Sequence, residues 1–236
     1  MTFLAAVAAW LADPAHWRGS DGIPVRVGEH VEITALSVAT AAAIALPVGL
    51  YLGHTGRGAL LAINVSNVGR ALPSLAMLAF ALPISFALGL GLGFWPTFIA
   101  MVPLAVPPII TNAYVAVREV DPDTVEAARG MGMTELAVLR LVELPAAMPI
   151  VLAGIRTATV NVIATATLGA LVAGGGLGRY IVDGLALQDQ QRLFAGALLV
   201  AILALAVEAV GALLEGSGTR RLEGVRPVRT ARRVSA

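Results

Sequence analysis

The chain has 236 residues, of which 58% are hydrophobic and only 13% charged, with a formal net charge of +1. A soluble domain carries about 45–50% apolar and about 25% charged residues, so this composition excludes a freely soluble protein and describes an integral membrane one. All 16 Lys/Arg positions are Arg, and Cys is absent. Without Lys there is no GxxxxGK[ST] phosphate loop, which needs that residue for the β/γ-phosphates. Any use of ATP therefore falls to another subunit. Without Cys, disulfides, iron–sulfur clusters and thiolate zinc sites are excluded, while the redox compartment stays open. His16, His30 and His54 are too dispersed for a local metal motif, so no metal, cofactor or nucleic-acid partner is expected.

A membrane helix needs about 20 mainly apolar residues to cross about 30 Å of hydrocarbon. The opening "MTFLAAVAAWLA" is too short for this and lacks the basic n-region of a signal peptide. It reads as an interfacial or re-entrant helix rather than a sixth span, within an N-terminal extracytoplasmic segment of residues 1–30. Residues 31–52 form the first expected span and stop at the polar turn "GHTGRG". Residues 59–92 are too long for one straight span and contain Asn64, Asn67, Arg70, Pro73 and Pro83, so one kinked helix is expected. Residues 94–117, 146–172 and 193–214 supply three more spans, the last carrying Glu208. The expected fold is an all-α membrane protein with about five transmembrane helices over residues 31–215. A basic tail of residues 216–236 follows. No long internal repeat suggests an inverted-repeat secondary carrier.

Basic residues flanking the spans set the orientation. The tail "TRRLEGVRPVRTARR" is the densest cluster, which puts the C-terminus in the cytoplasm and, with five spans, the N-terminus outside. Arg57, Arg118, Arg129 and Arg140 then also fall inside, and "GLGRYIVDGLALQDQQR" falls outside. Trp17, Phe94, Trp95 and Tyr180 are expected at the outer interface, and Tyr51 and Tyr114 near the inner one.

Between the third and fourth spans lies the most polar long stretch, "EAARGMGMTELAVLRLVELP", residues 126–145. Asp123 followed by Glu126 suggests a capping box with Asp123 as the cap. Both acids suit the positive end of a helix. Gly130 and Gly132 end that helix, Thr134 caps a second short one to residue 141, and "ELP" stops it before the next span. The product is a cytoplasmic helix–turn–helix with a small face at Ala127, Ala128 and Gly132, where another protein can approach closely. Physics alone allows equally an ordinary interfacial loop helix.

This segment resembles the EAA loop of ABC-importer permeases, whose pattern is E-A-A, three residues, G, nine residues, I, any residue, L-P. Glu126, Ala127, Ala128, Gly132, Leu144 and Pro145 fall at those spacings, with Val142 in place of Ile. The resemblance runs from "EHVEITALSVATAAAIALPVGLYLGHTGRG" to "FAGALLVAILAL". "NVGRALPSLAML", "VPPIITNAYVAVREVDPDTVEAARGMGM" and "GIRTATVNVIATATLGALVAGGGLGRYIVDGLALQD" look like the osmoprotectant branch, which takes up glycine betaine, choline, carnitine or proline. It implies a methionine-importer-like permease fold in a bacterial inner membrane. The six matched residues would couple to a separate ATPase subunit. No binding domain follows residue 214, so a separate solute-binding protein is implied, together with a second permease copy or a paralogous permease. The alternatives are a permease for another small solute such as an amino acid, or an ATP-independent channel or secondary carrier. No constellation of His, Cys or paired acids suggests an enzyme.

Polar residues inside spans tend to face the bundle interior or a cavity. Thr157, Asn161 and Thr165 share one face of the fourth span at four-residue spacing. Asn67 and Ser74 share a face of the second, and Asn112 lies on the third beside Pro107 and Pro108. These six are the candidate translocation-path residues; their competing role is hydrogen bonding between helices. Arg156 is expected to reach the cytoplasmic interface, and Glu208 to face a partner subunit or water. "AGGGLGRY" follows a membrane helix on the outer face, and reads as a flexible gate or a docking loop rather than a phosphate site. Quaternary ammonium groups are usually held by aromatic cages, yet only Phe80, Phe86 and Phe98 lie near mid-span. Affinity is therefore expected to reside in the binding protein.

Overall fold

The computed structural model describes residues 2–58, 60, 64, 65, 67, 69 and 71–223, with side chains at 214 and 216–223 outside the description. Arg70 lies outside the described residues, as does the basic tail beyond residue 223. Every regular element among the described residues is helical. Among the described residues, four helical stretches are long and apolar enough to cross a membrane: Ile23–Thr55, Phe94–Arg118, Glu135–Val172 and Gln190–Leu213.

Helix α1 (Phe3–Ala12) has 10 residues, a length of about 15 Å, half of a bilayer core. It lies against the last helix, with Phe3 edge-on to Phe194 at 5.4 Å between ring centroids. Helix α2 (Ile23–Thr55) begins eight residues before the expected span, since 31 − 23 = 8. Arg26, Glu29 and Glu32 make its first turns look like loop, but Arg26 pairs with Glu29 at 2.7 Å and with Asp21. Neutralised charges on one helical face do not end a helix.

The expected kinked helix over residues 59–92 is interrupted at Leu72 and Pro73. The ring of Pro73 disfavours the helical region for Leu72. Helix α3 (Ser74–Ala87) starts directly after it and tolerates Pro83 within. Helix α4 (Phe94–Arg118) is the central element, packed most extensively on α2. Glycines allow the approach: a Cβ at Gly49 would lie 2.7 Å from that of Ala113, and one at Gly53 2.7 Å from that of Val117.

After the coupling segment, α7 (Leu144–Ala166) runs into a 3-10 turn, Thr167–Val172. Helix α8 (Gly178–Ala186) is short, and α9 (Gln190–Glu223) continues beyond the span expected to stop at residue 214. The core is small-residue packing of α2, α4 and α7 around Ala41, Ala45, Met101, Ala105, Ile109 and Val162. Arg156 on α7 reaches Glu208 at 2.8 Å and Glu215 at 3.0 Å on α9. Glu208 thus has an intrachain partner while its side chain stays 47% exposed, which leaves room for the expected water or partner subunit. Gly211 leaves room for that guanidinium, because a Cβ there would stand 2.6 Å from Arg156 Cδ.

Tyr180, expected at the outer interface, is buried within the chain at 4% exposure. Its hydroxyl donates to the Asp21 carbonyl at 2.6 Å and its ring meets Trp10 edge-on. Trp17 and Trp95 are exposed, as belt residues require.

Candidate functional site

The polar segment between the third and fourth expected spans is a pair of short helices closed by three caps. Helix α5 (Pro122–Gly130) is capped by Asp121, whose carboxylate accepts from the Asp123 N–H at 3.2 Å and the Thr124 hydroxyl at 3.0 Å. The cap is therefore Asp121, two residues before the expected Asp123. Pro122 explains the shift: it lacks an N–H and carries a preset φ, which suits the first helical position.

At the other end the N–H of Gly132 donates to Arg129 (2.9 Å) and that of Met133 to Ala128 (3.2 Å). This is a Schellman closure, and it requires the left-handed residue that Gly132 supplies at φ +83°. Thr134 then caps α6 (Glu135–Val138) by accepting from the Ala137 N–H at 3.3 Å.

"ELP" does not stop the second helix as expected. The backbone passes through a π turn, Leu139–Glu143, straight into α7, with the Leu144 N–H reaching the Leu139 carbonyl. A proline removes one α-type hydrogen bond and crowds the carbonyl four residues back. The wider turn accommodates Pro145 without a break. The segment is thus continuous with a span rather than hinged from it.

The seven positions of the loop pattern separate into two groups. Ala128 is buried at 2% exposure, and packs with Val125, Val138, Met133 and Val142 in a small core. Leu144 is half-buried. Glu126, Ala127, Gly132 and Pro145 are exposed. The expected small face of Ala127, Ala128 and Gly132 is therefore not one surface, since Ala128 points inward. Sequence reasoning missed three large apolar residues in this otherwise polar region: Met131 (77% exposed), Leu136 (55%) and Leu141 (70%). Their signal is apolar bulk at positions the small core does not need.

The segment is tied to the end of α2 by charge. His54 places Nδ1 2.6 Å from Glu143 and Nε2 3.1 Å from Glu135. Arg129 clamps Glu135 with two bonds of 3.1 and 2.9 Å. Glu143 is buried at 4%. A cleft of ≈160 Å³ beside it is lined by His54, Arg118, Glu126, Arg129 and Glu143 among others.

The six expected path residues are not gathered in one cavity. Thr157, Asn161 and Thr165 do share a face of α7, and the first two are exposed. Thr157 donates to the Ala153 carbonyl at 2.9 Å, and Thr165 to that of Asn161 at 2.7 Å with Met101 Sδ at 3.3 Å. Asn112 donates to the Pro108 carbonyl at 2.8 Å and packs where Gly154 brings α7 against α4. Thr157 and Asn112 bond within their own helices, whereas Thr165 also reaches across to Met101 on α4. Asn67 is helical and exposed, and Ser74 is the half-buried first residue of α3.

The glycine cluster of residues 174–178 is a packed junction. Gly176 donates its N–H to Glu29 at 2.7 Å, and a Cβ at Gly178 would sit 2.2 Å from the Thr167 carbonyl oxygen. A cavity of ≈140 Å³ nearby is lined by Glu29, His30, Glu32, Phe94 and Thr97 among others. None of the six path residues lines it. Phe80 and Phe86 are exposed and build no cage.

Residues 45–217 match the family described as "Binding-protein-dependent transport system inner membrane component". The chain is 39% identical over 204 residues to the glycine betaine/carnitine/choline transport system permease protein OpuCB of Bacillus subtilis, covering 86% of this chain and 92% of that one. It is 40% identical over 187 residues to the choline transport system permease protein OpuBB of the same organism, covering 79% and 84%. Its fold matches the MetNI methionine ABC transporter in inward-facing form with a TM-score of 0.75 at 23% identity, over 88% of this chain and 99% of that one. The chain belongs to the binding-protein-dependent inner membrane component family and is a multi-pass permease subunit of an ABC transporter.

Proposed function

We propose that this permease carries osmoprotectants such as glycine betaine, choline, carnitine or proline inward, driven by a separate ATPase and fed by a separate solute-binding protein. The observation that supports the solute class is the 39–40% identity to permeases named for glycine betaine, carnitine and choline. Two chains, identical or paralogous, form the pore. The exposed polar face of α7 supports that pairing: Thr157 and Asn161 are costly against lipid but suit a wet path between two copies.

Coupling works through the capped helix pair. Glu126, Ala127, Gly132 and Pro145 offer a surface with little side-chain bulk, flanked by exposed Met131 and Leu136. An ATPase groove that closes on ATP carries this surface with it. Because α6 runs without a break into α7, displacement at the tip tilts the span that bears Thr157, Asn161 and Thr165.

Uptake of labelled glycine betaine, choline, carnitine and proline by proteoliposomes holding the whole complex tests this reading. Transport that requires both ATP and binding protein is the expected result. Failure of all four while methionine passes overturns the solute class. Passage without ATP overturns the coupling as well. Orientation is read separately: Cys at Ser217 stays shielded from impermeant reagents outside the cell, whereas Cys at the exposed Leu187 reacts. Reversed labelling inverts the topology.

A further inference from the structure

We infer that the small cavity beside the early turns of α2 is a site on this chain for the quaternary ammonium head of a solute. The inference rests on the solute class proposed above and gives it a place in the permease. The cavity has a volume of ≈140 Å³ and is lined by Glu29, His30, Glu32, Ile33, Phe94 and Thr97 among others. Sites for drug-sized ligands measure about 300–1,000 Å³, so this one takes a head group and not a large molecule. Glycines keep it open. A Cβ at Gly174 would stand 2.5 Å from Thr97 Oγ1, and one at Gly175 2.3 Å from Glu29 Oε2.

Its polar side chains present acceptors and no free donor. Glu29 Oε2 receives Arg26 and the Gly176 N–H, each at 2.7 Å, which fixes the carboxylate and leaves Oε1 unbonded among the described residues. Glu32 lies three residues on, on the same helix face, and makes no hydrogen bond or ion pair among the described residues. His30 is 1% exposed. Its Nε2 donates to the Ile163 carbonyl at 2.9 Å, so the neutral ring keeps only a lone pair on Nδ1, unpartnered among the described residues. The Thr97 hydroxyl donates to the Gly93 carbonyl at 2.9 Å and has only lone pairs left. Arg26 offsets Glu29, but no Arg lines the cavity, and the Glu32 charge is unbalanced. Such a wall attracts a cation. A metal ion or a primary ammonium needs three acceptors converging on one point, and no group of three His, Cys, Asp or Glu able to hold an ion exists among the described residues. A quaternary head spreads its charge over methyl groups and needs no such convergence. It needs apolar and ring surface beside a carboxylate, which Ile33 and Phe94 supply, the latter braced by Phe98 at 5.8 Å between ring centroids.

The test is saturable binding of labelled tetramethylammonium to the permease–ATPase complex in detergent, with the binding protein omitted. Wild type binds the probe, and choline displaces it. Dimethylbutanol, the uncharged carbon isostere of choline, does not displace it, and neither does methylammonium. Glu32→Gln and Phe94→Leu each weaken binding several-fold. Glu119→Gln removes the same charge at the far end of α4 and leaves binding unchanged. Absence of saturable binding by wild type overturns the inference. So does equal displacement by dimethylbutanol or methylammonium, or wild-type affinity in Glu32→Gln. Glu32 is exposed, so its replacement tests the site even if Phe94→Leu fails to assemble. Uptake of choline, glycine betaine and carnitine without any tetramethylammonium binding sinks this inference alone. Binding as described, with none of those solutes taken up, sinks the proposed solute class and leaves the head-group site in place.

Discussion

The two ends of α2 are held by different physics. At its N-terminal end, besides the Arg26 ion pairs, the contact is steric: the glycines of residues 174–178 bring backbone against Glu29, His30 and Thr167, with no room for side chains. His30 is buried and its Nε2 donates to the Ile163 carbonyl at 2.9 Å, while Tyr180 and Glu29 bond to backbone groups. At its C-terminal end the contact with residues 121–145 is made by charged groups, His54, Glu135, Glu143 and Arg129. Steric packing has one arrangement, because interiors are close-packed and not continuously deformable. Charged side chains on short helices can separate and re-pair in water. One end of α2 is wedged, and the other is pinned by ions.

The largest effect follows from breaking the wedge. Gly178→Val puts a branched side chain where a Cβ already stands 2.2 Å from a backbone oxygen. Backbone on both sides must shift, at a cost of about 3 kcal/mol. The variant should be recovered in low yield with a clearly lowered melting temperature in detergent; wild-type stability would show that the junction is loose.

The contrasting change at the other end leaves the fold intact and removes function. A Cβ at Gly132 meets nothing within 4 Å, but φ is +83°. Gly132→Asp therefore costs only about 1 kcal/mol of local strain, and it places a charge on the surface proposed to meet the ATPase. The complex should lose uptake and release its ATPase in pull-down while the permease stays in the membrane. A wild-type melting temperature with lost uptake would separate the two ends cleanly. Equal stability losses at Gly178 and Gly132 would erase the distinction.

Much of the coupling segment was legible because its signals are local. Gly132 and Thr134 perform the capping that their types and spacing dictate. The start of α5 was readable too, but "DPD" offers two candidate caps, and only the preference of proline for the first helical position selects Asp121. Continuity through Pro145 was not readable, because a π turn leaves no residue signature that distinguishes it from a stop. The pairs that decide the comparison are separated by distance in the chain: His54 and Glu143 lie 89 residues apart, Arg156 and Glu208 52. Periodicity places each on a helix but cannot say which helix end it will meet. The early start of α2 was hidden for the same reason, since Arg26 and Glu29 read as loop charges until they are seen paired.

The smallest expected effect lies between the two ends, on α7. Asn161 is exposed at four-residue spacing from Thr157 and Thr165, and no side-chain bond for it is seen among the described residues. Two environments are available to such a face in a membrane protein. Against lipid, Asn161→Leu replaces a polar amide with a hydrocarbon chain, so it should stabilise the permease and leave uptake unchanged. Along a wet path between two copies, it removes a group that offers the solute a hydrogen bond worth about 1 kcal/mol. A barrier change of that size alters the uptake rate about fivefold. The binding-protein affinity and the assembly of the complex should not change, because the residue touches neither junction. Uptake by wild-type and Asn161→Leu complexes, normalised to ATP hydrolysed, distinguishes the two. A slower rate with unchanged ATPase assembly supports the path, whereas an unchanged rate with a higher melting temperature assigns this face of α7 to lipid and moves the pore elsewhere on the chain.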